Sequence, residues 1–156
     1  MMPLSFSGGF SGALNKFLSS DHRLCFEYAA DASTPYPQGI AAFTFVANPT
    51  TASQPDCASI QPGTTGRFTV DTASMQVTHI ERTVQNPVNV NKDRTVLGTA
   101  AVDYAPVVLN GKSFWLPTTI TAFTKETSKT NGVRFTAHYS KYHRFEATVA
   151  IVPEGK

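Results

Sequence analysis

A chain of 156 residues is long enough for one domain with its own hydrophobic core. Only 15% of its residues are charged, and thirteen lysines and arginines are spread evenly against eleven aspartates and glutamates. With no basic run to follow a phosphate backbone, this balance argues against nucleic acid as a partner. It also lacks a run of about twenty apolar residues, so no membrane-spanning helix is predicted. Sparse charge with many threonines and serines is more typical of exported than of cytosolic proteins.

The N-terminal part is predicted to contain the one helix of the chain. Residues 1–9 are rich in serine and glycine and are expected to form a flexible segment ahead of a single domain, 10–153. Phe10, Leu14, Phe17 and Leu18 recur at spacings of three and four, the pattern of a short amphipathic helix. The first twenty residues lack the basic start and apolar block of a signal peptide, so we expect any export signal to have been removed.

About eight strands are predicted after the helix, from alternation of apolar and polar residues and from the turn sequences between them. Their predicted ranges are 23–29, 39–47, 67–71, 75–84, 95–109, a second hairpin arm ending at 123, 133–140 and 144–151. Residues 31–38, 48–65 and 85–93 are predicted to be loops, and 71–74 a turn. The sequence therefore predicts a mainly β (α+β) fold, a curved antiparallel sheet or half-barrel of about eight strands with one N-terminal helix packed on it.

The strongest structural signal is the stretch from Val102 to Phe123. Two apolar runs flank Asn110-Gly111, a pair that tolerates the positive φ angles of a type I′ turn, so a hairpin is predicted. Pro106 and Pro117 cannot donate a ladder hydrogen bond and must lie at an edge, a bulge or a bend. Such bends suit a sheet that curls.

The two cysteines, Cys25 and Cys57, are candidates for a disulfide. An even pair in an export-like composition favours the bond, and the closed loop of about thirty residues would contribute roughly 3–4 kcal/mol in the chain-entropy model. Two buried and inert thiols are the alternative. Neither cysteine has a second cysteine or a histidine at zinc-ligand spacing, so no metal site is predicted there.

Three segments together resemble a family of exported proteins from Acidobacteria that has no established activity. They are FTVDTASMQVTHIER, VDYAPVVLNGKSFWLP with its VDYAPV, NG and LP signature, and RFTAHYSKYHRFEA. The resemblance covers residues 66–150 and implies export and a β fold, but no catalytic residue. More remotely, a helix cradled by a curved sheet resembles the half-barrel of bacterial lipoprotein carriers, at the level of fold alone.

Candidate catalytic and metal residues are scattered. The four histidines are candidates for metal ligands or general bases, and exposed positions on the sheet are the alternative. They are His22, His79, His138 and His143. His79 and Glu81 share a strand face, and Asp103 is the best single carboxylate, with a cross-strand hydrogen bond as its alternative role. The other carboxylates considered are Glu27, Asp71 and Glu146. Since no nucleophile elbow, zinc-protease motif or phosphate loop occurs, no catalytic residue, metal or cofactor is predicted.

The aromatic residues suggest binding rather than catalysis. A curved sheet leaves apolar space at its mouth, and the predicted ligand-binding residues are Trp115, Tyr104, Phe114, Phe123 and Tyr139. Our first hypothesis is a non-enzymatic exported or cell-envelope domain that binds a lipid or another apolar molecule in the sheet concavity. The alternatives are an interaction module with a filled core, which meets a protein partner at a strand edge, and a hydrolase whose carboxylates converge only in the fold.

Overall fold

The described residues form one curved, unclosed sheet of seven antiparallel strands arranged in chain order. The structure is a computed structural model that describes residues 16–33, 35–91, 94–128 and 131–143. The strands are β1 (Phe26–Ala30), β2 (Ile40–Ala47), β3 (Thr64–Asp71), β4 (Gln76–Asn91), β5 (Arg94–Leu109), β6 (Lys112–Glu126) and β7 (Val133–His138). Short 3₁₀ turns cover Ser20–Cys25, Pro49–Thr51 and Pro55–Cys57.

The predicted mainly β fold with a curved antiparallel sheet is confirmed. Residues 16–18 are helical, and the Phe17 ring stacks on Phe45 of β2 at a centroid distance of 5.2 Å, so the end of the predicted helix packs on the sheet. The start of that helix, the segment 1–9 and the predicted strand 144–151 lie outside the described residues. The boundaries of the single domain, 10–153, stay a prediction.

The central hairpin is confirmed as β5 and β6. Asn110 and Gly111 have φ angles of 51° and 74°, the two positive values of a type I′ turn, and Leu109 pairs with Lys112 across it. The predicted turn at 71–74 is also present. There the Asp71 carboxylate accepts hydrogen bonds from the backbone N–H and the hydroxyl of Ser74 and from the backbone N–H of Ala73, which together lower the Asp71 pKa.

The two prolines of the hairpin lie where their strands have a single neighbour. Pairing of β4 with β5 stops at Asp103, before Pro106, and pairing of β6 with β7 stops at Thr119, before Pro117. A β-bulge adjoins Pro117, because Thr118 is an extra residue on β6 and the register shifts there. The expectation that the prolines lie at edges or bulges is confirmed.

The strand predicted at 23–29 begins later, at Phe26, because residues 20–25 form a 3₁₀ turn. The alternation had placed Cys25 opposite Leu24 and Phe26. Instead Cys25 and Phe26 are both buried, whereas Leu24 is 62% exposed. The Cys25 carbonyl accepts a hydrogen bond from the Asn48 N–H, 2.8 Å away, so this residue is held by the loop after β2 as well as by its sulfur.

The loop predicted at 85–93 is wrong for residues 85–91, which continue β4. The β4–β5 ladder accommodates Pro87 with a register shift between Val84 and Val88. An irregularity of this kind is the usual place for a proline inside a sheet. The polar composition of residues 85–91 therefore led to a wrong prediction of where the strand ends.

The loop predicted at 48–65 is irregular up to Gly63, as expected, and it is fixed to the chain before β1. Cys25 and Cys57 form a disulfide with Cα atoms 5.4 Å apart, which confirms the predicted pair. Both cysteines are 2% exposed. The bond joins the turn Ser20–Cys25 to the turn Pro55–Cys57 at the β1–β2 side of the sheet.

Paired positions across the strands define two faces of the sheet. We call one the apolar face, defined by the row Phe43, Phe68, Ile80, Val102, Ile120 and Ala137. We call the other the polar face, defined by the adjacent row Ala42, Thr69, His79, Asp103, Thr119 and His138. The hydrophobic core lies on the apolar face, where Phe45, Ile80 and Ile120 are at most 2% exposed.

Candidate functional site

The centre of the core is an aromatic cluster around Phe45. Its ring is fully buried, stacks on Phe17, meets Phe26 edge-on at 5.5 Å and lies 6.5 Å from Phe68. Rings in these arrangements each add about 0.5–1.5 kcal/mol beyond the area that they bury. The cluster fixes β1, β2 and β3 together and has a structural role.

Three of the predicted ligand-binding residues also pack into this core. Tyr104 is 7% exposed, and its burial raises the pKa of the phenol to about 12. Trp115 and Tyr139 are half-buried against the same core cluster. Tyr139 follows β7, where its N–H donates to the bulged Thr118 carbonyl, 2.8 Å away. These three aromatic residues therefore lie at the hairpin end of the apolar face.

Phe114 and Phe123 project from the polar face instead. Phe114 neighbours Trp115 along β6 and pairs with Val107, while Phe123 pairs with Thr99 of β5. Adjacent residues of a strand point to opposite faces, which separates Phe114 from Trp115. The five predicted ligand-binding residues are therefore divided between the two faces, and only Phe123 adjoins the groove described next.

The groove occupies about 370 Å³ on the polar face, where β4, β5 and β6 run side by side. Its surface is almost entirely apolar. Val84, Leu97 and Phe123 are the apolar side chains among the residues that line it. Its described lining residues are Thr83, Val84, Leu97, Gly98, Thr99, Phe123 and Lys125. The volume lies within the range of about 300–1,000 Å³ that is usual for small-molecule sites.

The ring of Phe123 is held in place from the β7 side. Its edge lies so close to Gly132 that a Cβ atom there would overlap the ring. On the same face, the Arg134 guanidinium lies 5.7 Å from the ring centroid, within cation–π range. The side chain that forms one wall of the groove is therefore positioned by its own neighbours and does not depend on a bound molecule.

Two cations border this apolar surface. Lys125 is half-buried, pairs with Leu97 and lines the groove, and Arg134 pairs with Phe123. In the described part of the chain, the ion pairs between side chains join Arg67, Glu81, His79 and Asp103, and neither Lys125 nor Arg134 takes part. Among the described residues, the groove therefore combines apolar walls with two cations that take part in no ion pair.

A polar network crosses the same face one to two rows away. His79 Nδ1 lies 2.6 Å from the Asp103 carboxylate and its Nε2 lies 3.4 Å from Glu81, which also accepts from Arg67 at 2.7 Å. Both carboxylates thus act as hydrogen-bond acceptors on an open surface. This is the cross-strand role considered for Asp103, and it does not favour the hydrolase hypothesis.

The other candidate polar residues do not gather into a site. Among the described residues, no group of three or more histidine, cysteine, aspartate or glutamate side chains could hold a metal ion. His138 Nδ1 lies 3.3 Å from the Thr119 hydroxyl, and His22 Nδ1 lies 3.1 Å from that of Ser19. His143 and Glu27 are exposed, and Glu146 lies outside the described residues.

Arg82 is a charged residue on the apolar face, and the sequence analysis did not single it out. It pairs with Gly66 on one side and Ala100 on the other, and the residue is exposed to water. Desolvation by the surrounding protein nevertheless lowers the Arg82 pKa. The Lys16 pKa is also lowered, first by burial and then by the positive charge of Arg82. Two cations therefore lie near each other beside the core.

We expect Arg82→Met to raise the free energy of unfolding, because it removes the repulsion from Lys16 and adds apolar surface to the core. Water screens the charge of the exposed Arg82, so the gain should stay below about 1 kcal/mol. Urea denaturation measures it. Arg67→Met, which breaks the ion pair with Glu81, is the control and should bring no gain. A loss of stability in Arg82→Met would contradict the inference that repulsion between Arg82 and Lys16 destabilises the fold.

The groove residues Leu97, Thr83 and Lys125 were missed by sequence reasoning. Their alignment depends on which residues of β4, β5 and β6 stand opposite one another, and each strand looks ordinary alone. A usable signal was present on β5, where Leu97 is an apolar residue in the alternating set Leu97, Thr99, Ala101 and Asp103, which lies on the polar face.

The fold and the groove together define a mainly β protein with a candidate site for an apolar small molecule. Comparison of the chain with family models, curated proteins and solved structures finds no match. Within the described ranges, no helix is long and apolar enough to cross a membrane.

Proposed function

We propose that the protein is a non-enzymatic, exported or cell-envelope domain that binds a lipid or another apolar molecule in the groove beside Phe123. The observation that carries this proposal is an apolar groove of about 370 Å³ on the polar face of the sheet. Apolar surface left open on such a face has a favourable free energy of burial against a ligand, about 25 cal/mol per Å². The wall at Phe123 is already formed, so little ordering would oppose binding.

Export is part of the proposal and has separate support. Intramolecular disulfides persist mainly in oxidising compartments, and Cys25 and Cys57 form one. The low charge content and the resemblance to exported acidobacterial proteins agree with this location. We therefore expect the ligand to be an envelope or extracellular molecule.

Titration with Nile red, a neutral fluorescent probe of apolar sites, tests the binding proposal. We expect saturable binding that weakens at least about tenfold in Phe123→Ala, because burial of a phenylalanine side chain contributes about 1.5–3 kcal/mol. Thr99→Trp should also abolish binding, since Thr99 is exposed and a large side chain there would fill the groove.

Phe114→Ala is the matched control, because Phe114 is half-buried on the same strand and is remote from the groove. Its affinity for Nile red should equal that of the unmodified protein. Circular dichroism verifies that each variant is folded. Unchanged affinity in both Phe123→Ala and Thr99→Trp would refute the groove as the binding site.

An interaction module is the second candidate, favoured by the strand at the end of the described sheet. In β1, residues 27–30 are exposed, and among the described strands β1 pairs with β2 alone. Tyr28 and the neighbouring Val46 are 38% and 46% exposed. A partner strand added along β1 would satisfy its free backbone groups. Failure of every apolar probe to bind would favour this candidate.

A further inference from the structure

We propose that the groove binds a fatty-acid type of molecule, a single apolar chain with a carboxylate that is held by Lys125 and supported by Arg134. This inference rests on the proposed function, because it assumes that the groove is the binding site. Beyond the proposed function, it specifies the charge of the ligand and its orientation in the groove.

Lys125 has a half-buried side chain at one end of the groove. A lysine in this position keeps its methylene groups on apolar surface while its ammonium group stays in water. Leu97 is its partner across β5 and β6. The stem thus continues the apolar wall, and the ammonium group marks where the polar end of a ligand would lie.

Arg134 adds a second positive charge on the other side of Phe123. Its guanidinium is exposed and lies 5.7 Å from the ring centroid, in the row formed by Thr99, Phe123 and Arg134. A guanidinium lying over an aromatic ring still has its N–H groups available at the edge. An apolar wall therefore lies beside two cations, the arrangement that the carboxylate head and the first methylenes of a fatty acid require.

In the part of the chain that the structure describes, the acidic side chains nearest to this site do not neutralise it. Glu81 of the next row is bound to Arg67 and His79. Glu126 follows Lys125 directly on β6, so its side chain points to the opposite face of the sheet. Glu27 is in the same row but three strands from Thr83, about 14 Å at the usual strand spacing, beyond the screening length of about 8 Å in physiological salt. These three carboxylates therefore leave the positive charge of Lys125 and Arg134 available to an anionic ligand.

Competition of laurate and dodecanol against Nile red tests the inference, because the two molecules share a chain length and differ in the charge of the head. We expect laurate to bind about tenfold more tightly than dodecanol, and the difference to shrink as salt is added. Lys125→Met, which keeps an apolar stem, should lower laurate affinity about tenfold and leave dodecanol affinity unchanged. Arg134→Gln should cause a smaller decrease for laurate.

Lys112→Met is the control, because Lys112 lies on the same strand at the far, hairpin end and should not affect either affinity. Equal affinities for laurate and dodecanol would overturn the head-group assignment and leave the apolar groove in place. Tighter binding of dodecyl phosphate than of laurate would overturn the choice of a carboxylate. Failure of all these probes to bind would refute the proposed function itself.

Discussion

Removal of the disulfide by Cys25→Ala with Cys57→Ala is expected to lower the free energy of unfolding by about 3–4 kcal/mol, the chain-entropy value for a sequence separation of 32. Both side chains are 2% exposed, so each alanine also leaves a small void. For a domain whose total stability is typically 5–15 kcal/mol, this is a large fraction. Urea denaturation followed by circular dichroism measures the change.

Two controls test whether the loss of stability comes from the disulfide. Unmodified protein in excess reductant should approach the stability of the double variant, and the double variant should not respond to reductant. The disulfide is on the β1–β2 side, whereas the groove is formed by β4, β5 and β6, so the folded fraction of the variant should bind Nile red normally. Equal denaturation midpoints for oxidised protein and double variant would show that the bond does not stabilise the fold.

The hairpin could be predicted because its information is local. Asn110 and Gly111 tolerate positive φ, and the apolar runs on either side leave one register in which both strands pair fully. The same holds for the turn at Asp71, whose carboxylate closes it by hydrogen bonds to the next residues. The disulfide was predicted from an even pair of cysteines in an export-like composition, and with two cysteines there is one possible pairing.

The candidate site could not be predicted in full because it depends on a bulge. Trp115 and Phe123 are separated by an even number of positions, and strict alternation would place both on one face. The extra residue Thr118 reverses the alternation, so Trp115 packs on the core while Phe123 projects from the polar face. A proline at 117 signals an irregularity there but does not say on which side the shift occurs.

The surroundings of Lys125 and Arg82 could not be predicted from the sequence of one strand at a time. Lys125 belongs to the groove because Leu97 stands opposite it, and Arg82 stands between Gly66 and Ala100. Both facts depend on register between strands that were predicted separately. The β4–β5 region was further obscured by its polar composition, which was interpreted as a loop.

Gly66→Ala is expected to destabilise the protein by about 3 kcal/mol, near the upper end of the usual cost of overpacking. Gly66 lies in β3 between Phe45 and Arg82, and a Cβ atom there would overlap both the Phe45 ring and the Glu81 carbonyl oxygen. The ring is fully buried among other aromatic rings, and the carbonyl belongs to the neighbouring strand, so neither can move away easily. Thermal and urea denaturation measure the loss.

Gly98→Ala is the matched control, because Gly98 also lies inside a strand and its Cβ would be 3.1 Å from the Phe123 carbonyl oxygen. Movement of a few tenths of an ångström relieves that contact, so we expect a cost below about 1 kcal/mol. Adding Phe45→Leu to Gly66→Ala separates the two overlaps. The smaller side chain removes the conflict with the ring but not the one with Glu81, so only part of the penalty of Gly66→Ala should be relieved. Equal costs at Gly66 and Gly98 would contradict the close approach of β3 and β4 on which the aromatic core depends.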